Sequence, residues 1–456
     1  MRKHCFLSSL GVLAALTFAA SALAVDIPLK FVKFPDGATG FVPAGMTSLK
    51  LALESPSGEW KFPKWTSEKP LYGLVKIGSA ERLLALDRQK GEDKYYNRIY
   101  FDANANQDLT DDPVVDGKEE IDSRGPFCRV KFGAVDTTIE AEGKMLPYSV
   151  RPELMVMNLA QYSESNLDPR ILPRYVNCTL RSNCAYTGEF NIAGRTYSVT
   201  LADTNGNGSF NDVFEIRKFN IPRRLAVSAQ GDSFYISSDG KPDTIDRLVY
   251  GDWLVIGDKL FKVSINPAKG TMTLTPEKEN LFPLRLAMLP ERLSISMEDG
   301  KNCIMMFQPA ETIMIPAGRY RLFSYEVFKE DEQGDLWRLC ANGTTDTPYF
   351  AVGEMDSAVL GFGEPYVPAI TMPNRQQGIT VTIQGQTRRL SPRASLGLNI
   401  EGKGNEFVTD LSRIKGDKTK IPLSQKKNFG HRPTEPTYVI TKADGEVVTK
   451  GFFEYG

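Results

Sequence analysis

Short runs of alternating apolar and polar residues recur along this chain and constrain its fold more than any other feature. Examples are "RTYSVTLAD", "KLFKVSI", "GRYRLFSYEVF" and "ITVTIQG", and Gly, Asp, Asn and Pro separate such runs. Because successive side chains of a strand point to opposite faces, a period of two is typical of β-strands. The sequence therefore predicts an all-β protein with little helix, built from several β-sandwich or β-barrel-like modules in tandem.

Four turns join neighbouring runs in a similar way. They lie at residues 77–78, 192–194, 256–257 and 444–445, and each contains glycine. Glycine suits the positive φ that tight hairpin turns require. We expect a β-hairpin at each turn, and the resemblance among the first three suggests related β-modules.

The chain is too long for one hydrophobic core, since cores stop growing at about 250–300 residues. Proline-rich or polar stretches at residues 145–150, 276–290 and 365–376 have the composition of linkers. Residues 151–163 have the pattern of an amphipathic helix. After a signal peptide at 1–24, we expect β-modules at 25–148 and 149–280, each with one acidic loop, a β-sandwich at 281–370, and an immunoglobulin-like sandwich at 371–456.

The first residues predict export. Arg2 and Lys3 precede an apolar stretch at residues 5–20, and small residues lead to Ala24. This apolar stretch is too short for a membrane span, so a cleavable signal peptide is expected. The mature chain would begin at Val25 without a transmembrane segment and reside in the periplasm, at the cell surface or outside the cell.

Charge limits the partners that this protein could bind, and cysteine content limits the disulfides that it could form. The formal charge is −1, and no basic patch or tail favours nucleic acid. An envelope protein or a polysaccharide is the expected partner. Export permits disulfides between Cys178 and Cys184 or between Cys303 and Cys340, and five buried thiols are the alternative. The fifth mature cysteine is Cys128.

Two strings, "DANANQDLTDD" and "DTNGNGSFND", place Asp and Asn at alternate positions directly after a strand-like run. They lie 101 positions apart and match at several places. The candidate metal ligands of the first loop are Asp102, Asn104, Asn106, Asp108, Asp111 and Asp112. Those of the second loop are Asp203, Asn205, Asn207, Ser209, Asn211 and Asp212.

This spacing suits Ca²⁺. The ion takes about six to eight oxygen ligands from carboxylates, amide carbonyls, backbone carbonyls and water. A tightly coiled loop turns side chains at positions 1, 3 and 5 toward one centre, and a later carboxylate completes the set. Gly208 stands at position 6 of the second loop, where such loops turn sharply, but Gln107 stands there in the first.

At these positions the strings resemble the D-x-N-x-N calcium loops of EF-hands and dockerins, and the wider chain resembles modular exported bacterial β-proteins of unassigned function. The resemblance implies a Ca²⁺ ion of structural role at each loop. Two departures stand against it. Pro113 and Phe214 occupy position 12, where an acid is expected, and flanking helices are missing from the sequence pattern. The alternative is a metal-free Asx-rich turn.

Catalysis has little support in the sequence. After signal removal His431 is the single histidine, so a Ser-His-Asp site or a histidine-bound zinc site is not expected. We therefore expect a non-enzymatic Ca²⁺-binding scaffold or interaction protein of the cell envelope. The alternatives are a carbohydrate-binding module array, for which Trp60 and Trp65 would form a coplanar platform, and an acid-pair glycoside hydrolase accessory protein.

Overall fold

The computed structural model describes most of the mature chain. The described residues are 24–35, 43, 45–121, 127–157, 173, 175–216, 231–243, 246–354, 358–371, 379–383, 386–390, 397–414, 420–422 and 437–452. The expected signal peptide, apart from Ala24, and His431 lie outside these residues.

The first half of the chain forms seventeen strands, some of which alternate buried and exposed residues while others are buried on both faces. They are β1 (Val25–Pro28), β2 (Lys30–Lys33), β3 (Met46–Leu49), β4 (Leu71–Ile77), β5 (Ala80–Asp87), β6 (Arg98–Phe101), β7 (Val114–Ile121), β8 (Phe127–Phe132), β9 (Val135–Ala141), β10 (Lys144–Met157), β11 (Val176–Ser182), β12 (Cys184–Ile192), β13 (Arg195–Ala202), β14 (Ser233–Ser237), β15 (Arg247–Val249), β16 (Trp253–Ile256) and β17 (Lys259–Asn266). One turn of 3-10 helix follows at Pro267–Lys269.

The second half of the chain forms seventeen further strands. They are β18 (Thr271–Pro276), β19 (Leu281–Leu286), β20 (Arg292–Met297), β21 (Cys303–Phe307), β22 (Thr312–Pro316), β23 (Gly318–Glu330), β24 (Leu336–Asn342), β25 (Phe350–Val352), β26 (Ala358–Leu360), β27 (Val367–Thr371), β28 (Ile379–Ile383), β29 (Gln386–Leu390), β30 (Gly397–Glu401), β31 (Phe407–Ile414), β32 (Lys420–Pro422), β33 (Thr437–Thr441) and β34 (Val447–Phe452).

These strands form several sheets, one of them nearly closed and barrel-like, which confirms the all-β, multi-module fold. A nine-stranded sheet has the order β3-β11-β10-β8-β7-β6-β5-β4, with β9 on β10. A five-stranded sheet has the order β15-β14-β13-β12-β2, and a thirteen-stranded sheet runs from β1 through β18, β17 and β16 to β31, β30 and β27. Neighbours are antiparallel except in the pairs β16–β21 and β19–β26.

The four expected hairpins are confirmed. β4 pairs with β5, β12 with β13, β16 with β17, and β33 with β34. The turn glycines Gly78, Gly194, Gly257 and Gly445 have φ of 63°, 80°, 63° and 89°. The period of two and the turn chemistry therefore located these elements correctly.

The expected linker at residues 145–150 and the expected helix at 151–163 are wrong where the structure describes them. Both fall in β10, which pairs with β9, β8 and β11, and residues 158–163 lie outside the described part. Leu154 and Val156 are buried while Met155 between them is exposed, which is the alternation of a strand. The boundary expected between residues 148 and 149 falls inside this strand.

The inner faces of three sheets meet in one hydrophobic core. Its members include Phe101 and Val130 from the nine-stranded sheet, Val199 from the five-stranded sheet, and Leu254 and Met272 from the thirteen-stranded sheet. A second core around Leu284, Ile295, Ile315 and Tyr320 occupies the region expected as a separate sandwich at 281–370. Residues expected in the first two modules therefore share a core.

The five cysteines are thiols rather than disulfides. Cys128, Cys178, Cys184 and Cys303 are buried and Cys340 is partly buried, so the alternative of packed thiols is the observed one. Apolar packing suits a free cysteine side chain. Among the described residues no helix has the length and apolar character needed to span a membrane.

Candidate functional site

Both acidic loops begin where a buried strand ends. The first follows Phe101 at the end of β6, and the second follows Ala202 at the end of β13. The position-1 residues Asp102 and Asp203 are fully buried. Burial of a carboxylate is costly unless hydrogen bonds or a charge compensate it, so the partners of these two residues are decisive.

In the first loop the backbone coils around Asp102. Its carboxylate accepts hydrogen bonds from the amides of Asn106 at 3.1 Å and Gln107 at 3.3 Å. Asn104 Oδ1 accepts from the Asn106 amide at 3.0 Å, and Asn106 Oδ1 accepts from the Asp108 amide at 2.8 Å. Asn104 and Asn106 thus each bond the backbone two positions ahead, as in successive Asx turns, whereas Asp102 bonds the amides four and five positions ahead.

The second loop repeats this pattern with an offset of 101 residues. Asp203 accepts from the amides of Asn207 at 3.2 Å and Gly208 at 2.7 Å, and also from Gly206. Asn205 Oδ1 accepts from the Asn207 amide at 3.1 Å, and Asn207 Oδ1 from the Ser209 amide at 2.7 Å. The two strings therefore fold into the same local structure, as their spacing predicted.

The backbone φ angles of the two loops agree. Positions 4 and 6 have positive φ in both loops: 60° at Ala105 and 66° at Gln107, against 68° at Gly206 and 86° at Gly208. An L-residue with a side chain adopts this region at a cost of about 1–2 kcal/mol. The first loop therefore keeps a glycine-type conformation without glycine.

The position-10 acids bring positions 3 and 5 together. Asp111 accepts from the side-chain amide of Asn106 at 2.7 Å, and the Asn104 amide lies 3.5 Å away. Asp212 accepts from the amides of Asn205 at 2.9 Å and Asn207 at 2.6 Å. The side chains of positions 3, 5 and 10 therefore meet in both loops, whereas the position-1 carboxylate accepts from the backbone amides of positions 5 and 6.

The remaining expected ligands bond elsewhere. Asp108 forms an ion pair with Lys61 at 2.8 Å and accepts from Thr110, and this Lys61 hydrogen bond holds the pKa of Asp108 at about 2. Ser209 donates to Asn211 Oδ1 at 2.7 Å, so Asn211 is bonded within the loop. At position 7 of each loop, the backbone carbonyl of Asp108 or Ser209 would bind the ion, and the side chain would not.

Asp112 closes the first loop. Its Oδ1 accepts from the amide of Ala103 at 3.1 Å, whereas its Oδ2 is buried without a hydrogen-bond partner. Burial raises the pKa of Asp112 to about 6, and the nearby Asp102 and Asp111 carboxylates add to the rise. An orphaned acidic oxygen beside two other carboxylates is the kind of atom that a cation would satisfy.

Asp232 closes the second loop, as Asp112 closes the first. It was not among the ligands expected from the sequence. Its Oδ1 accepts from the Thr204 amide at 3.1 Å and its Oδ2 from the Asp212 amide at 2.8 Å. Burial, together with the nearby Asp203, raises the pKa of Asp232 well above its ordinary value. Asp232 stands just before β14, outside the contiguous string, so position counting within the loop could not find it.

The charge balance differs between the loops. Within the described residues, Asp203, Asp212 and Asp232 form no ion pair with a basic side chain. In the first loop the buried Arg82 donates to the backbone carbonyls of Asp102 and Ala103, at 3.1 and 2.5 Å. The second loop therefore gathers three carboxylates with no compensating cation in the described part of the chain.

The candidate metal ligands of these loops are carboxylate, side-chain amide and backbone carbonyl oxygens, and not carboxylates alone. Within the described residues, no three His, Cys, Asp or Glu side chains form a compact metal-binding group. Asn residues supply positions 3 and 5 in both loops, and backbone carbonyls would supply position 7. Sites of this type draw on amide and carbonyl oxygens as much as on carboxylates.

The tryptophans expected as a sugar platform belong to an aromatic cluster beside the first loop. Trp65 packs against Phe62, Tyr72 and Tyr100 with ring centroids 5.4 to 5.8 Å apart. The planes of these rings meet at 48° to 82°, so the rings are not coplanar. Trp60 and Trp65 are both partly buried in this cluster.

No protein-family model, curated protein or solved structure matches this chain. The chemistry of the two loops must therefore be inferred from their own residues.

Proposed function

We propose that this chain is an exported, non-enzymatic β-protein of the cell envelope that binds Ca²⁺ at its two acidic loops, with the ion bracing the scaffold. The observation that carries the proposal is the meeting of Asp203, Asp212 and Asp232. Two of these carboxylates are almost completely buried. Hydrogen bonds, among them one from the Tyr148 hydroxyl to Asp203, compensate part of this buried charge, and a divalent cation at the loop would relieve the remaining repulsion among the carboxylates.

The oxygen donors present fit a hard cation. In the second loop these are the three carboxylates, the side-chain amides of Asn205 and Asn207, and the backbone carbonyl of Ser209. Both side-chain amides donate to Asp212 and accept a backbone hydrogen bond through Oδ1, which keeps a second lone pair that can bind a cation. Oxygen ligands of this kind are those that Ca²⁺ prefers.

The first loop offers a similar set. Its candidate ligands are Asp102, Asn104, Asn106, Asp111 and Asp112, and the unpartnered Asp112 Oδ2 is available to a cation. Asp108 is paired with Lys61, so its side chain is the least suited of the expected ligands. Both loops therefore support one ion each.

A bracing role follows from what the second loop joins. Asp203 and Asp212 belong to the loop itself, whereas Asp232 immediately precedes β14. Asp232 already ties the loop to the start of β14 through the backbone amides of Thr204 and Asp212, so an ion that fixes the loop would brace this connection. Millimolar Ca²⁺ outside the cytoplasm is enough for sites with Kd of about 10⁻⁴–10⁻³ M. The expected signal peptide supports that location, and a polysaccharide or another envelope protein is the proposed partner of the braced scaffold.

Calorimetry and thermal melting of residues 25–456 test the proposal. Ca²⁺ should give a binding isotherm with two ions per chain and should raise Tm, because a ligand bound only to the folded state stabilises it. Asp102→Asn and Asp203→Asn should each remove one ion. Asp299→Asn is the matched control, since Asp299 also accepts two turn amides, at 2.9 and 3.2 Å, outside the loops.

The proposal fails if the unchanged chain gives neither heat nor a shift in Tm with Ca²⁺. It also fails if Asp299→Asn reduces binding as much as the loop variants do. Because Asp203 is buried, Asp212→Asn provides a milder second variant of the same loop.

A further inference from the structure

Strand β9 touches both loops within three residues. Thr137 donates its hydroxyl to the Ala103 carbonyl of the first loop at 2.5 Å. Ile139 packs against Gly208 of the second loop, where a Cβ would lie 3.0 Å from Ile139 Cγ2. Thr137 and Ile139 are both buried, so neither contact yields readily to solvent.

The β4–β5 hairpin forms a second bridge. At its turn the amide of Gly78 donates to the Asn207 carbonyl of the second loop at 2.6 Å. Four residues later Arg82 donates to the Asp102 and Ala103 carbonyls of the first loop. The hairpin therefore contacts both loops through hydrogen bonds. Strand β9 contacts them through one hydrogen bond and one packing contact.

Arg82 also joins the two bridges to each other. Its second guanidinium nitrogen donates to the Thr138 carbonyl of β9 at 2.6 Å. Arg82 is 2% exposed, so these bonds lie within the packed interior. Close-packed interiors transmit small displacements instead of absorbing them, and a change of backbone position at one loop will be felt at the other.

We infer that the two loops are energetically coupled through Arg82 and β9, so that Ca²⁺ bound at one loop increases the affinity of the other. This inference rests on the proposed function. The first ion would fix the Ala103 carbonyl and with it Thr137, Arg82 and the β9 backbone. The second loop would then lose less conformational freedom when its own ion binds.

Calcium calorimetry of single-site variants measures the coupling. Asp111→Asn and Asp212→Asn remove the position-10 acid of one loop each and leave the backbone hydrogen bonds to Asp102 and Asp203 in place. The product of the two association constants of the unchanged chain should exceed the product of the two single-site constants at least about fivefold. Coupling is reciprocal, so both loops gain by the same factor.

Thr137→Val should lower that ratio at least about twofold while both ions still bind, because the Arg82 bonds remain. Thr179→Val is the matched control: its hydroxyl also donates to a backbone carbonyl, that of Glu153 at 3.4 Å, but in β11 away from both loops. It should leave the ratio unchanged. Circular dichroism of each variant checks that the sheets form. If a position-10 variant does not fold, Asp102→Asn or Asp203→Asn serves as the single-site variant of the same loop.

Two negative results have different meanings. Absence of any Ca²⁺ binding to the unchanged chain overturns the proposed function. Two ions that bind with a ratio near one, or a single bound ion, overturn the coupling and leave calcium binding standing. A ratio that survives Thr137→Val also overturns the assigned route through β9.

Discussion

Asp232 accepts a hydrogen bond from the backbone amide of Thr204 at 3.1 Å, across 28 residues of sequence. Asp112 makes the equivalent bond to the Ala103 amide from only nine residues away. The two loops therefore complete the same arrangement with acids drawn from different places in the chain. The consequences of removing these two acids follow from their burial.

Replacing Asp112 by Asn should raise the Tm of the calcium-free chain at pH 8. Burial raises the pKa of Asp112 to about 6, so the folded state holds this proton more tightly than the unfolded state does. The ionised group then destabilises the fold by an amount that grows between the ordinary pKa of 3.8 and about pH 6, and no difference remains near pH 3. The gain should be about 1 kcal/mol, discounted for partial exposure.

With calcium present the same substitution should act in the opposite direction. Asp112→Asn and Asp232→Asn should each weaken one site by about tenfold, the loss typical of groups that support a metal site. Melting curves in EGTA and in Ca²⁺ at pH 8 separate the two effects. Equal Tm shifts under both conditions would contradict the proposed role of these acids.

Position 6 provides a pair of opposite substitutions. Gln107→Gly should stabilise the chain by about 1 kcal/mol because glycine adopts a φ of 66° without steric cost. Gly208→Ala should destabilise it by about 2 kcal/mol or more, since the new Cβ would lie 2.8 Å from the Gly78 amide nitrogen and 2.9 Å from Ile77 Cγ2. Urea unfolding measures both, and a destabilising Gln107→Gly would refute the shared turn geometry.

Arg82→Met should destabilise the chain by about 3 kcal/mol. The substitution leaves the carbonyls of Asp102, Ala103 and Thr138 without the guanidinium donor, and each buried acceptor that loses a partner costs about 1–3 kcal/mol. Denaturant unfolding gives the value. Arg98→Met is the control, because Arg98 pairs with Asp116 at the surface and should cost less than about 1 kcal/mol.

Asp331→Asn should lower Tm at pH 7, and this difference should shrink as the pH falls below the ordinary pKa of 3.8. The Trp337 side chain and the Asp335 amide donate to this carboxylate, and these bonds lower its pKa. A lowered folded-state pKa contributes stability above the ordinary pKa, and that contribution is lost as pH falls through the folded value. A Tm difference that stays the same as the pH falls would show that the charge is not responsible.

Thiol titration checks the cysteines. The unreduced mature chain should yield five thiols with Ellman's reagent in denaturant, and the four buried ones should react slowly in the native state. Burial raises the pKa of Cys178 to about 12 and that of Cys128 to about 11, so little thiolate forms at pH 8. Fewer than five thiols in denaturant would indicate a disulfide.

Much of the fold could be predicted because its signals are local. Alternation along a strand and glycine at a turn depend on adjacent residues, and both led to the observed hairpins. The exception is β10, whose partners β8, β9 and β11 override the helical pattern of residues 151–157. Partners in a sheet decide such segments, and they lie far apart in the sequence.

The sequence by itself determined the coiling of each loop, since Asx side chains at alternate positions bond the backbone two residues ahead whatever surrounds them. Only the tertiary structure decided which acid closes the second loop and how the two loops meet. Asp232 reaches its loop because β14 pairs with β13 in register. Thr137 reaches Ala103 from β9, a strand that pairs with β10 and not with the strand that leads into the first loop. Those distances are set by strand pairing and packing across the core, which no single stretch of the chain specifies.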